Sequence, residues 1–207
     1  MANTNSANNI AMDGAELFSA CLEQATMIVK QVLPIHFTNS TPDTEWDVNE
    51  LITHMLSVLK SVPAALAEPG VEPANDILAD DTIDQDALDF TVHWQLAVDK
   101  AEAIIAEIDL EDIFVHNSRQ TTVEDFLIEI AGDLLIHAWD LGEAIGMSVR
   151  FAPAIAEAVM ETTIIPNKTM RSSHTLFTES INPPANADIQ ARLLALFGRS
   201  YAWRTAA

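Results

Sequence analysis

Apolar residues recur every three or four positions over four long stretches, with polar breaks between them. The spacing predicts a first helix from about Asp13 to Val32, with Leu17, Cys21, Met27 and Ile28 on its apolar side. Asp13 and Glu16 have capping-box spacing at its start, and Pro34 is expected to end it. After the loop HFTNSTPDTEWD, Asp47 is a natural N-cap with Glu50 three residues on, and Trp46 before the cap can pack on Leu51. Val48, Leu51, Ile52, Met55, Leu56, Leu59 and Val62 form the stripe of this second helix, which Pro63 and the segment AEPGVEP should close. A third helix is expected from near Thr82, with Gln85 at capping-box spacing, to about Ile108, through Phe90, Trp94, Ala97, Ala101 and Ile104. The piece DIFVHNSRQ, Asp112 to Gln120, reads as an extended connector or a brief strand. The fourth helix is expected to begin at Thr121, with Glu124 completing its cap, and to stop at Gly146, a residue suited to the left-handed position past a helix end.

Four such stripes predict an all-α fold built on a four-helix bundle. Beyond it, PAIAEAVMETTII predicts a fifth helix with Pro153 in its first turn. Pro166 to Pro184 reads as irregular, and ADIQARLLALF after Asn186 predicts a short last helix ending at Gly198. The expected organisation is a flexible tail over residues 1–11, a four-helix bundle over 12–146, and a C-terminal helical extension over 147–207 packed on it, all within one domain.

The fourth stripe carries the candidate chemistry. Asp133, His137 and Asp140 sit at i, i+4 and i+7, one face of a helix, where Ile130, Leu141 and Ala144 share or border it. Burying a carboxylate and an imidazole there is costly without a partner. That partner is a metal, a mutual hydrogen bond or water. Asp133 and His137 on successive turns can reach one ion, and His54, at the inner edge of the second stripe, is the best third ligand. Two imidazoles and a carboxylate suit a divalent ion, zinc first, with nickel or iron as alternatives, and leave a coordination position open. The plainer reading of Asp133 and His137 is a charge-assisted contact between helix turns. Asp140 either orients a ligand as an acceptor behind it or pairs with a neighbouring helix. Trp46 and Trp139 read as packing residues, and His93 as a distant candidate for a fourth ligand. His36, His116 and His174 fall in predicted loops, and Arg150 and Arg171, two of only ten basic residues, read as surface ion pairs, with contact to an anionic substrate as the alternative.

Composition narrows the function classes. Hydrophobic content of 49% against 20% charged residues suits a folded chain. A net charge of −21 repels phosphate backbones and anionic membranes, so neither nucleic acid nor membrane is an expected partner. Cys21 is the sole cysteine, so no intrachain disulfide and no cysteine-based zinc site can form. The N-terminus lacks a basic start and a long apolar core, and no apolar run approaches the roughly 20 residues that span a bilayer. A cytoplasmic location is the expectation.

The stretch TPDTEWDVNELITHM resembles the second-helix motif of the DinB-like superfamily. More narrowly it resembles the branch containing the metal-binding domain of mycothiol-dependent maleylpyruvate isomerase, which tends to read T-P-C-x-E-W-D-V-R-x-L-x-x-H. DLLIHAWDLGEAIG is similar to that branch's fourth-helix motif, E-x-x-x-H-x-W-D-L-A-x-A-x-G, and NPPANADIQARLLALFGRSYAW is similar to the tail of actinobacterial members. The resemblance covers about Asp13 to Trp203. It implies a DinB-like bundle whose metal ligands fall on His54, Asp133 and His137, with Asp133 where the family usually has Glu. Asp43 stands at the usual Cys and Asn49 at the usual Arg. The resemblance further implies a low-molecular-weight thiol as cosubstrate, a small-molecule electrophile and a homodimer. The activity expected from it is that of a thiol S-transferase or isomerase. A non-catalytic bundle that binds a ligand or a protein, with a structural or vestigial ion, is the alternative.

Overall fold

A computed structural model of the chain describes residues 12–67, 87–116, 119–164 and 180–203. The chain is mostly helical, as its periodicity predicts. Helix α1 spans Gly14–Val29, α2 Val48–Ala67, α3 Ala87–Ile105, α4 Val123–Ala144, α5 Pro153–Ile164 and α6 Ile189–Leu196. Strands β1 (Ile113–His116) and β2 (Arg119–Thr122) pair antiparallel between α3 and α4, with Ile113 opposite Thr122 and His116 opposite Arg119. The segment that the sequence left open is therefore a strand, and a second strand follows it. No helix among the described residues is long and apolar enough to cross a membrane.

Local hydrogen bonding fixes the helix ends. Asp13 accepts from the Glu16 amide at 2.9 Å while Glu16 accepts from the Asp13 amide at 3.3 Å. The Asp47 and Glu50 pair repeats this at the start of α2, at 2.9 Å in both directions. The cap of α4 is Thr122, whose hydroxyl accepts from the Asp125 amide at 3.0 Å, one residue later than expected because β2 extends through Thr122. Gly146 closes α4 at φ 79°, with Met147 N–H donating to the Gly142 carbonyl at 2.8 Å.

Three expected boundaries shift. α1 stops at Val29, three residues early, and Pro34 opens a single 3-10 turn, Pro34–His36, instead of ending the helix directly. Pro63 does not close α2. The helix continues to Ala67 because Ala65 and Leu66 beyond the proline are buried, and that packing outweighs one lost backbone hydrogen bond. α3 ends at Ile105, ahead of the expected Ile108. The tail over 1–11, the start expected near Thr82, and most of the irregular segment lie outside the described residues.

The core sits between α1, α2, α3 and α4. α1 packs along α4, α2 packs on α3 and on α4, and α5 leans on α1 and α4 while carrying α6. Leu17, Phe18, Leu51, Met55, Leu59, Phe90, Trp94, Phe126 and Trp139 are almost wholly removed from water. Gln190, buried in α6, accepts from the Phe151 amide at 3.0 Å and donates to the Val149 carbonyl at 2.9 Å. Those two bonds fix the C-terminal helix to the segment after α4, which brings the residues beyond it over the site.

Candidate metal centre

Helix α4 is buried over most of its surface, and three of its ionisable residues lie on the buried part. Asp133, His137 and Asp140 are all buried, the last two completely. His54 faces them from α2 with its side chain 16% exposed, which makes it the edge of the cluster nearest solvent. His54 Nε2 lies 3.5 Å from Asp133 Oδ2, and His137 Nε2 lies 3.5 Å from Asp133 Oδ1. The structure therefore brings the three residues singled out in the sequence to one point, with a donor atom of each within 4.8 Å of the others.

Those separations are informative. A charge-assisted hydrogen bond between imidazole and carboxylate spans about 2.7–2.9 Å. Two ligand atoms about 2.0–2.1 Å from one ion at a tetrahedral angle lie about 3.4 Å apart. The observed 3.5 Å matches the second case. His54 Nε2 and both Asp133 oxygens are buried without a hydrogen-bond partner among the described residues, a state that costs about 1–3 kcal/mol per group when nothing fills it. The donor set and its spacing fit a divalent ion.

Charge balance points the same way. Behind His137, Asp140 Oδ2 stands 3.1 Å from the ring's Nδ1. Asp140 also receives Arg199, with Nη2 at 2.8 Å from Oδ2 and Nε at 3.2 Å from both oxygens. Arg199 Nη2 reaches Asp43 Oδ2 at 2.6 Å as well. Asp43, Asp133 and Asp140 thus set three acidic side chains against one buried guanidinium, an excess of two negative charges. One divalent cation or two protons cancel it. Burial alone would lower the His137 imidazole, but the adjacent Asp133 and Asp140 push it up to about 9. Burial would raise the Asp133 carboxyl, yet His137 and His54 hold it well below the usual carboxylate range. Without an ion, a proton on His137 therefore offsets part of that excess.

Asp140 is held by Arg199 as an acceptor, so the proton between it and His137 belongs on Nδ1 and the ring's other nitrogen faces Asp133. Asp140 thus faces the His137 ring and pairs with Arg199, which lies in the turn after α6 and not on a neighbouring helix. The indole of Trp46 stacks on His54, centroids 4.4 Å apart and 29° between planes, and stands 5.5 Å from the His137 ring. Trp46 is thus a wall of the site as well as a packing residue.

Other sequence candidates fall elsewhere. His93 lies on α3 outside the group that could share an ion. His36 accepts from the Leu33 amide within the 3-10 turn, and His116 lies edge-on to Phe126 at 4.8 Å. Arg150 is a surface residue paired with Asp188 at 3.3 Å. His174 and Arg171 lie outside the described residues. Burial pushes the Cys21 thiol up to about 12, so it is no thiolate at neutral pH. Sequence reasoning missed Arg199 and the role of Asp43. The Gly198-Arg199 pair directly after the leucine-rich last helix was the available signal. Compared with models of protein families, with curated proteins and with solved structures, the chain finds no match.

Proposed function

We propose that the chain is a divalent-metal-binding protein of the DinB-like kind, with α1 to α4 as its four-helix bundle and His54, Asp133 and His137 as its ligands. The observation that carries this reading is Asp133: a buried carboxylate whose two oxygens lack a hydrogen-bond partner among the described residues and each lie 3.5 Å from an imidazole nitrogen. The packing of α1 on α4, and of α2 on α3 and α4, supports the bundle. Zinc suits the donor set first, with nickel or iron as alternatives, and three protein ligands leave a position for a reactant. The reaction assigned is thiol-dependent transfer or isomerisation of a small electrophile, on the strength of the motif resemblance around His54 and His137.

A bound divalent ion would lower the pKa of a low-molecular-weight thiol and so supply thiolate at neutral pH. The chain's own part is to hold and orient. Asp140 retains the Nδ1 proton of His137 and keeps the ring's Nε2 lone pair turned inward. Trp46 offers a flat wall beside His54, the most exposed of the three ligands, against which a planar reactant can be held.

Elemental analysis of the purified protein beside His54→Ala and His137→Ala tests the reading. About one divalent ion per chain is expected for the parent, and a small fraction of that for each variant. Addition of a simple thiol to the cobalt-loaded parent should produce a sulfur-to-cobalt charge-transfer band. A parent chain that takes up neither zinc, nickel nor iron(II) overturns the proposal, and loading without a thiol band overturns its chemical half.

A further inference from the structure

The structure assigns to Arg199 a positioning role: it clamps Asp140 behind His137 and Asp43 in the loop that carries Trp46, so that the turn after α6 sets the affinity and shape of the metal site. The inference rests on the reading of His54, Asp133 and His137 as ligands.

Arg199 arrives there by a defined turn. α6 ends at Leu196, Gly198 takes φ 76°, and the Arg199 amide donates back to the Leu194 carbonyl at 2.8 Å. The reversal carries the side chain into the interior, where it is fully buried. Its guanidinium then meets acceptors from three places: Asp140 on α4, Asp43 in the loop before α2, and the Phe197 carbonyl of its own turn at 3.1 Å. A planar fork serves all three at once, whereas a lysine ammonium is a single point of charge.

Each grip has a consequence at the site. Asp140, fixed through both oxygens, keeps Oδ2 at 3.1 Å from His137 Nδ1, which aims the opposite nitrogen at Asp133. Asp43 belongs to a tight loop in which the Thr41 hydroxyl lies 2.8 Å from both the Asp43 and Trp46 carbonyls and Trp46 N–H donates to the Asp43 carbonyl at 3.2 Å. Holding Asp43 therefore holds Trp46 against His54. Arg199 also supplies a fixed cation to a second acidic group, Asp43, His137 and Asp140, whose atoms are spaced closely enough to share an ion. The ring of His137 is thereby committed to Asp133 and His54. A buried ion pair is a weak stabiliser that apolar residues often replace without loss, so a network that ends on a ligand is better explained by the ligand.

The test compares the full chain with Arg199→Met, Arg199→Lys, Asp43→Asn and Asp140→Asn. Zinc affinity is read by competition with a chromophoric chelator, and ligand geometry by the visible spectrum of the cobalt(II) form. Arg199→Met should weaken zinc on the order of 10–100-fold and alter the cobalt bands, as loss of an outer partner does at metal sites. Arg199→Lys should fall between it and the parent. Arg199→Met added to Asp140→Asn should weaken zinc little beyond Asp140→Asn alone. Should Arg199→Met fail to fold, Arg199→Lys and Asp43→Asn carry the comparison. A lowered melting temperature with zinc affinity and cobalt spectrum unchanged overturns the inference and leaves the metal reading standing. A parent that binds no ion overturns both.

Discussion

If Asp133, between two imidazoles, holds the proposed ion, that ion and the His137 proton compete for one place, and pH decides between them. His137 is pushed from an ordinary value of 6.5 up to about 9 against burial, because Asp133 and Asp140 favour its charged form. A pKa raised by folding adds stability that is complete below the ordinary value and fades as pH rises through the folded one. For the metal-free chain that window is pH 6.5 to 9. Asp133 acts at the other end: its lowered pKa adds stability that is present above 3.8 and lost as pH falls below it. With a chelator present, the urea midpoint should therefore drop between pH 6.5 and 9, by the equivalent of a few kcal/mol at about 1.4 kcal/mol per unit. The drop should flatten in His137→Gln. Zinc affinity should move oppositely over the same range, since binding expels the Nε2 proton. Calorimetric titration at three pH values across the window checks this, and an affinity that does not vary with pH contradicts it.

Among the elements, those that follow local hydrogen bonding were legible in the sequence. The Asp13 and Glu16 pair, the Asp47 and Glu50 pair, Pro153 and Gly146 each mark a helix end through bonds made within a few residues. The helical face bearing Asp133, His137 and Asp140 was equally readable, because turn-to-turn stacking is a property of the helix alone. What escaped depends on distant contacts. β2 is the polar run RQTT and shows no apolar alternation. Arg199 meets partners 59 and 156 positions away, and no spacing encodes that. Pro63 sits inside α2 because of what its neighbours bury. A related long-range constraint lies at Gly14, where a β-carbon would stand 2.8 Å from the Glu124 carbonyl oxygen at the start of α4. Alanine favours helices over glycine by up to about 1 kcal/mol, but a backbone oxygen cannot rotate away. Gly14→Ala should therefore lose about 1–3 kcal/mol, measured as a lower urea midpoint. A raised midpoint would show that α1 and α4 separate cheaply.

At the scale of the whole molecule, the question is how far the fold depends on the ion. α1 packs on α4 and α3, and α2 on α3 and α4, through many buried apolar residues, and the proposed ligands occupy one level of them. Such a core should stand without metal, unlike small zinc domains that unfold when it is removed. Net charge of −21 draws cations to the chain but does not by itself create a site, so the specific uptake proposed here rests on His54, Asp133 and His137. Chelation at 20 °C, as an ordinary working temperature, should leave far-ultraviolet circular dichroism unchanged to within about a tenth. Loading should raise stability by mass action, about 4 kcal/mol at free zinc a thousandfold above Kd. For a chain of this size each kcal/mol moves Tm by about 2–4 °C, so a rise of roughly 8–16 °C is expected. His54→Ala should abolish the rise while keeping the helical signal. Collapse of that signal on chelation would instead make the ion a structural staple, and the open position beside Trp46 would lose its role as a reaction site.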